Sequence, residues 1–282
     1  MNNREYDFDE EFDEFVENGN NEEDKKKKKR ILLIILAILL IILGSVYTGF
    51  YLYEQYSAQQ GEQELSNIAK TTVATTGDTA VNAVENPIDF ASLKATNGDI
   101  YAWIVVPNTK VDYPIVQHPT DNAFYLKHDA LTKKWQSSGA VYTEYVNNID
   151  FNDMLTVIYG HNGYGDTMFT TLHKFENKEF FEQNEYFYIY TENAKLTYQI
   201  VSAFKYDDRH LMYAFNMQDL AARDQFVNMI QNPESSNKNV RTELDKELTR
   251  DDNYVVLSTC ITNQKSSRYL VSGVLVKYEQ TY

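Results

Sequence analysis

Cys260 is the only cysteine in a chain of 282 residues, and its setting makes it a candidate for chemistry. The run Tyr254-Val255-Val256-Leu257-Ser258-Thr259 is apolar and β-branched and ends on it, which predicts a strand with the thiol at its tip. A thiol in that place faces solvent while its backbone is held rigidly. Eight residues on, Ser266-Ser267-Arg268 opens a second apolar run, Tyr269 to Val276. If the two runs pair as a hairpin, Arg268 comes beside Cys260. A guanidinium there favours the thiolate and can hold an oxyanion as it forms. A free cysteine is more often a small buried hydrophobe, and that reading stands until the neighbours are weighed.

Nucleophilic chemistry also needs a base, and five histidines are available. His161 stands out because it too follows a strand-like run, Met154 to Tyr159, in the turn Gly160-His161-Asn162-Gly163. His118, His128, His173 and His210 sit in polar loop or helix contexts and read as surface residues. No two histidines have the spacing of a zinc site, and a single cysteine forms neither an intramolecular disulfide nor a multi-cysteine metal site. No metal or cofactor is expected. The order His, Cys, Arg also departs from papain-like enzymes, where the cysteine comes first.

The elements that must position these residues are mostly strands. Ile100–Val106, Lys110–Val116, Gly139–Tyr142, Met154–Tyr159, Tyr186–Tyr190, Leu196–Phe204, Tyr254–Ser258 and Tyr269–Tyr278 are short, rich in β-branched and aromatic residues, and bounded by turn residues. Eight strands without alternating helices predict a mainly β domain, a barrel or sandwich rather than a wound α/β sheet. Short helical patterns fall between Thr167 and Phe181, and a longer one between Met217 and Ile230 with Leu220, Phe226, Val227 and Ile230 on one side.

Ahead of this domain, residues 1–24 are acidic without a continuous apolar face and read as a disordered tail, although Phe8, Phe12 and Phe15 have helical spacing. Lys25 to Arg30 is a basic run, and Ile31 to Tyr53 then carries no charge over about 23 residues, enough to cross a bilayer as a helix. Tyr47, Tyr51 and Tyr53 mark its far end. The apolar span is too long for a cleavable signal peptide and runs into bulky tyrosines, so it reads as a signal anchor. The positive-inside rule then places residues 1–30 in the cytoplasm and the rest outside. Residues 54–87 read as a polar stalk of spacer composition, with a helical pattern near Glu62 to Lys70 and a Thr/Ala/Gly-rich run through Val81, and the folded domain is expected over 88–282. A net charge of −15 argues against nucleic-acid binding through a basic face.

Leu257-Ser258-Thr259-Cys260 followed by Arg268 resembles the sortase signature, TLxTC with an arginine on the next strand, with Val256 where the first threonine of the motif usually stands. Tyr159-Gly160-His161-Asn162 is similar to the sortase histidine motif. Val111 to Gln117 running on to Asp121–Leu126, and Met168-Phe169 with Leu172 and Phe175, resemble class B in particular, as does the helix-bearing insertion before the cysteine strand. The resemblance spans roughly residues 88 to 278. It implies a closed eight-stranded β-barrel with a few peripheral helices, preceded by one transmembrane helix. By position it makes Cys260 the nucleophile, His161 the general acid/base and Arg268 the oxyanion contact. Asn122, Leu126 and Ser258 would line the substrate groove, and the helix near 217–230 would wall it. Some class B enzymes carry an acidic residue shortly after the cysteine; here Ile261-Thr262 follows, so no carboxylate takes that role. The implied partners are surface proteins bearing a sorting signal and an amine, from a peptidoglycan precursor or a pilin lysine. A hydrolase on the same site and a membrane-tethered binding domain are the alternatives.

Overall fold

The computed structural model describes residues 8–70, 84–163, 165–261 and 264–282. Two compact units divide the chain, Met1–Tyr56 and Ser57–Tyr282.

In the second unit eight strands close into a ring. They are β1 (Ile100–Val105), β2 (Asp112–Val116), β3 (Tyr142–Thr143), β4 (Leu155–Tyr159), β5 (Tyr186–Thr191), β6 (Ala194–Asp207), β8 (Tyr254–Ile261) and β9 (Gln264–Gln280). Their order is β5-β1-β2-β3-β4-β8-β9-β6, and the pairing of β6 back onto β5 closes the barrel. Closure leaves no free edge on those eight strands. A ninth, β7 (Lys238–Val240), is appended to β6 outside the ring. The Pro107-Asn108 turn between β1 and β2 forms as the sequence predicts, with Asn108 in the left-handed region at φ 60°.

The strands β4 and β8 are parallel neighbours, from Leu155 opposite Tyr254 to Tyr159 opposite Ser258. Both are buried on both faces, which is why they read as nearly continuous apolar runs. Val255 and Leu257 face the barrel interior with Ile104, Phe169 and Val271. Tyr254 and Val256 face outward into a second cluster with Phe226, Ile230 and Leu211. That cluster is capped by α5 (Leu220–Gln231), whose Asp219 side chain accepts the N–H of Ala221 at 2.9 Å. Phe226 and Ile230 have no exposed surface, and burying such side chains contributes about 1.5–3 kcal/mol each. Leu220, expected on the same face, is exposed.

The N-terminal helix, α1, runs Phe8–Ala69. Its uncharged stretch is long and apolar enough to cross a membrane by length and composition. The acidic segment read as disordered is helical from Phe8 onward; a helix already nucleated propagates at the cost of one residue at a time, and glutamate tolerates it well. The last turns of α1, expected to be spacer, belong instead to the compact unit. Leu65 and Ala69 are buried against Ile88, Phe90 and Leu93, the latter two on α2 (Phe90–Thr96). Most of the Thr/Ala/Gly-rich stretch ending near Val81 lies outside the described residues.

Glu62 on this docked segment has a consequence. Its carboxylate accepts from the Tyr113 hydroxyl at 3.4 Å, while its second oxygen is buried without a partner. Burial pushes its carboxyl from the usual range up to about 7, against a smaller lowering by the Tyr113 bond. A raised carboxyl favours docking while it is protonated, so docking is strongest below pH about 4.5 and weakens as pH rises through about 7. The full difference is about 3 kcal/mol. Amide exchange over 58–69, corrected for its intrinsic rate, should therefore be faster at pH 8 than at pH 5. Glu62→Gln should remove that difference.

Candidate active site

Strand pairing brings the three candidate residues to one end of the barrel. In the β8–β9 ladder Cys260 lies directly opposite Arg268. Because Tyr159 pairs with Ser258 across β4 and β8, the Gly160-His161 turn leaves β4 at that same end, with the Gly160 N–H bonded to the Ser258 carbonyl at 3.1 Å. Cys260 is exposed, His161 and Arg268 are half-buried, and all three line one pocket with Leu126, Ser258 and Tyr142.

The turn that presents His161 is held from two sides. Gly160 has no room for a side chain, since a Cβ would lie 2.5 Å from the ring of Phe169. Phe169 is fully buried and donates its N–H to the His161 carbonyl at 3.0 Å. The imidazole Nε2 donates to the Leu126 carbonyl at 2.8 Å. That bond selects the tautomer and leaves Nδ1 as the nitrogen available for proton transfer. Leu126 thus meets the site twice, through its carbonyl and through a side chain that is 38% exposed in the pocket.

Asn122 is the one expected groove residue absent from the pocket lining; its side-chain oxygen accepts the Tyr145 N–H at 2.8 Å. Nor does α5 form the wall. Its apolar stripe is spent on the cluster behind β4 and β8. The wall comes instead from Tyr206 and Asp208–Leu211, at the end of β6 and the start of α4 (Leu211–Ala214).

Two histidines read as surface residues prove to belong here. His210 in that wall lies 2.6 Å from the buried Glu144 and 3.2 Å from the Tyr159 hydroxyl. Burial, and after it the Glu144 charge, raises the hydroxyls of Tyr142 and Tyr159 well above their usual range, so both line the pocket as neutral groups. His173 contacts Cys260 itself: its Nε2 is 3.1 Å from the Cys260 carbonyl. The sequence signals for these two are faint. His173-x-x-Glu176 has the spacing of neighbours on a helix, but nothing local links it to a residue 87 positions away.

Comparison with known proteins agrees with this geometry. The sortase domain profile matches residues 104–276. Sortase B of Listeria monocytogenes is 26% identical over 211 residues, covering 71% of this chain and 80% of the relative. The crystal structure of Clostridium perfringens sortase B is 30% identical with a TM-score of 0.58, covering 67% of this chain and 100% of that one. A Streptococcus pyogenes class B sortase involved in pilus biogenesis is 30% identical with a TM-score of 0.56, covering 66% of this chain and 97% of its own. The chain therefore belongs to the sortase family of cysteine transpeptidases and is most like the class B members.

Proposed function

We propose that this protein is a membrane-anchored transpeptidase that cleaves a C-terminal sorting signal at a threonine carbonyl and passes the protein to an amine. The observation that carries the reading is the direct pairing of Cys260 with Arg268 at the barrel end where His161 leaves β4.

The Cys260 thiolate attacks the threonine carbonyl carbon, forming a C–S bond and moving the carbonyl electrons onto oxygen. Arg268 holds that oxyanion. As it collapses, the C–N bond breaks and His161 Nδ1 gives its proton to the departing amine. A second amine then attacks the thioacyl carbon, returns a proton to His161 and expels the thiolate. One difficult exchange becomes two easier ones. Leu126 and Ser258, lining the same pocket, contact the peptide. Asn122 supports the Glu144–Asn147 turn by accepting the Tyr145 N–H.

The basic run before the apolar span favours a cytoplasmic N-terminus and an extracellular barrel. A membrane tether keeps the enzyme where sorting-signal proteins and lipid-linked cell-wall precursors meet, raising its effective concentration there. The amine comes from a peptidoglycan precursor or from a pilin lysine in a Gram-positive envelope.

The test uses the full chain in detergent with a randomised sorting-peptide pool, with and without hydroxylamine, read by mass spectrometry. The expected result is a peptide hydroxamate ending at threonine, and little cleavage without the amine. Products of water attack alone, at saturating hydroxylamine, would make the enzyme a hydrolase. An absence of any thioacyl adduct on Cys260 would leave a binding domain.

A further inference from the structure

Cys260 is gripped through its backbone by a second imidazole that the mechanism above does not use. His173 lies on the 3-10 helix Thr170–Glu176, which follows the His161 turn. Its Nδ1 is 2.6 Å from a carboxylate oxygen of Glu176, and its Nε2 faces both the Cys260 carbonyl at 3.1 Å and the Asn162 carboxamide at 3.3 Å. The ring is stacked on the buried Tyr269 at 4.9 Å. Glu176 is itself tied down, accepting from the Asn237 side chain at 3.0 Å.

The Ser258 carbonyl, two residues earlier on the same side of β8, is taken by the Gly160 N–H just past the end of β4, and the Cys260 carbonyl lies beyond that strand, where His173 meets it. The Cys260 carbonyl only accepts, so in that contact the Nε2–H of His173 donates. The Asn162 carboxamide can turn its oxygen to that same N–H. Asn162 adjoins His161, and it is bridged across the same turn to Met168. One imidazole thus joins the backbone of the candidate nucleophile to the residue beside the candidate base.

We propose that His173, oriented by Glu176, is a positioning residue that sets the placement of Cys260 relative to His161. The proposal rests on the reading of Cys260 and His161 as the reacting pair. Positioning of this kind is steep, because misplacement by about 1 Å can cost about 10²-fold in rate.

The test compares His173→Ala, His173→Phe and His173→Gln in the full chain, scored as hydroxamate formed from the mixed peptide pool per active site. Active sites are counted by iodoacetamide titration of the single thiol. Phenylalanine keeps the stack and the volume but has no donor, so both Ala and Phe should lose about 10- to 100-fold. Glutamine restores a donor to the Cys260 carbonyl and should recover to within about threefold of wild type. Wild-type rates in His173→Phe, or a glutamine variant as slow as the phenylalanine one, would overturn the proposal. Cys260→Ala, which has no thiol to titrate, is run alongside and scored per mole of protein. If it retains full transfer, the catalytic reading itself fails; if it is inactive while His173→Phe is normal, only the positioning role falls.

Discussion

Cys260→Ala is expected to reduce transfer by about 10⁴-fold or more while leaving thermal unfolding unchanged. The size follows from what is removed. Without the thiol no thioacyl intermediate forms, and residues that act as a unit lose nearly all their effect when the nucleophile goes. The selectivity follows from exposure. Cys260 is exposed at the tip of β8, so truncating it opens no core cavity, and surface changes of this kind stay within about 0.5 kcal/mol. Its backbone keeps the pairing with Arg268 and the bond from His173. The measurements are hydroxamate formation from the peptide pool and the unfolding midpoint of the same preparation. Loss of folding together with activity would show instead that the residue is structural, and full activity would remove it as the nucleophile.

Much of this arrangement was legible in the sequence because each candidate reacting group sits at the border of an apolar run. β4 ends one residue before Gly160-His161, β8 carries Cys260, and β9 carries Arg268 near its start. Runs buried on both faces are long enough to be seen, and their ends are where side chains emerge. The other strands were visible as β-branched and aromatic runs: β5 by its alternation, buried at Phe187 and Ile189, and β3 only at Tyr142, the last residue of the expected Gly139–Tyr142. β7 was not, since Lys238-Asn239-Val240 has neither length nor apolar alternation and forms by pairing with β6. The groove wall was misplaced because an amphipathic stripe says that a helix is covered, but not by what. In α5 that stripe faces the back of β4 and β8, and a polar stretch ending β6 lines the pocket. His173 and His210 were hidden because their partners, the Cys260 carbonyl and Glu144, come from distant segments. The docked end of α1 was obscured by its polar composition: its buried apolar residues are Ala58, Leu65 and Ala69, scattered among polar ones.

Arg268→Ala is expected to slow transfer by about 10²- to 10³-fold, the range for removing one oxyanion donor. Unlike the cysteine variant, it should retain a thiol that iodoacetamide still labels, because Cys260 remains in place. Arg268→Lys separates charge from shape. The guanidinium is a planar fork with five donors, already bonded through one of them to the Ser267 carbonyl at 3.2 Å. It can hold that anchor and still direct other N–H groups at the forming oxyanion. An ammonium is a point charge on a flexible stem, so lysine should recover less than about tenfold of the loss. Single-turnover measurement places the defect. If Arg268 acts on the tetrahedral intermediate, thioacyl formation and its resolution by amine both pass through that oxyanion, and both should slow together. A defect in only one step would confine Arg268 to that half of the reaction, and transfer within threefold of wild type in Arg268→Ala would remove it from the chemistry.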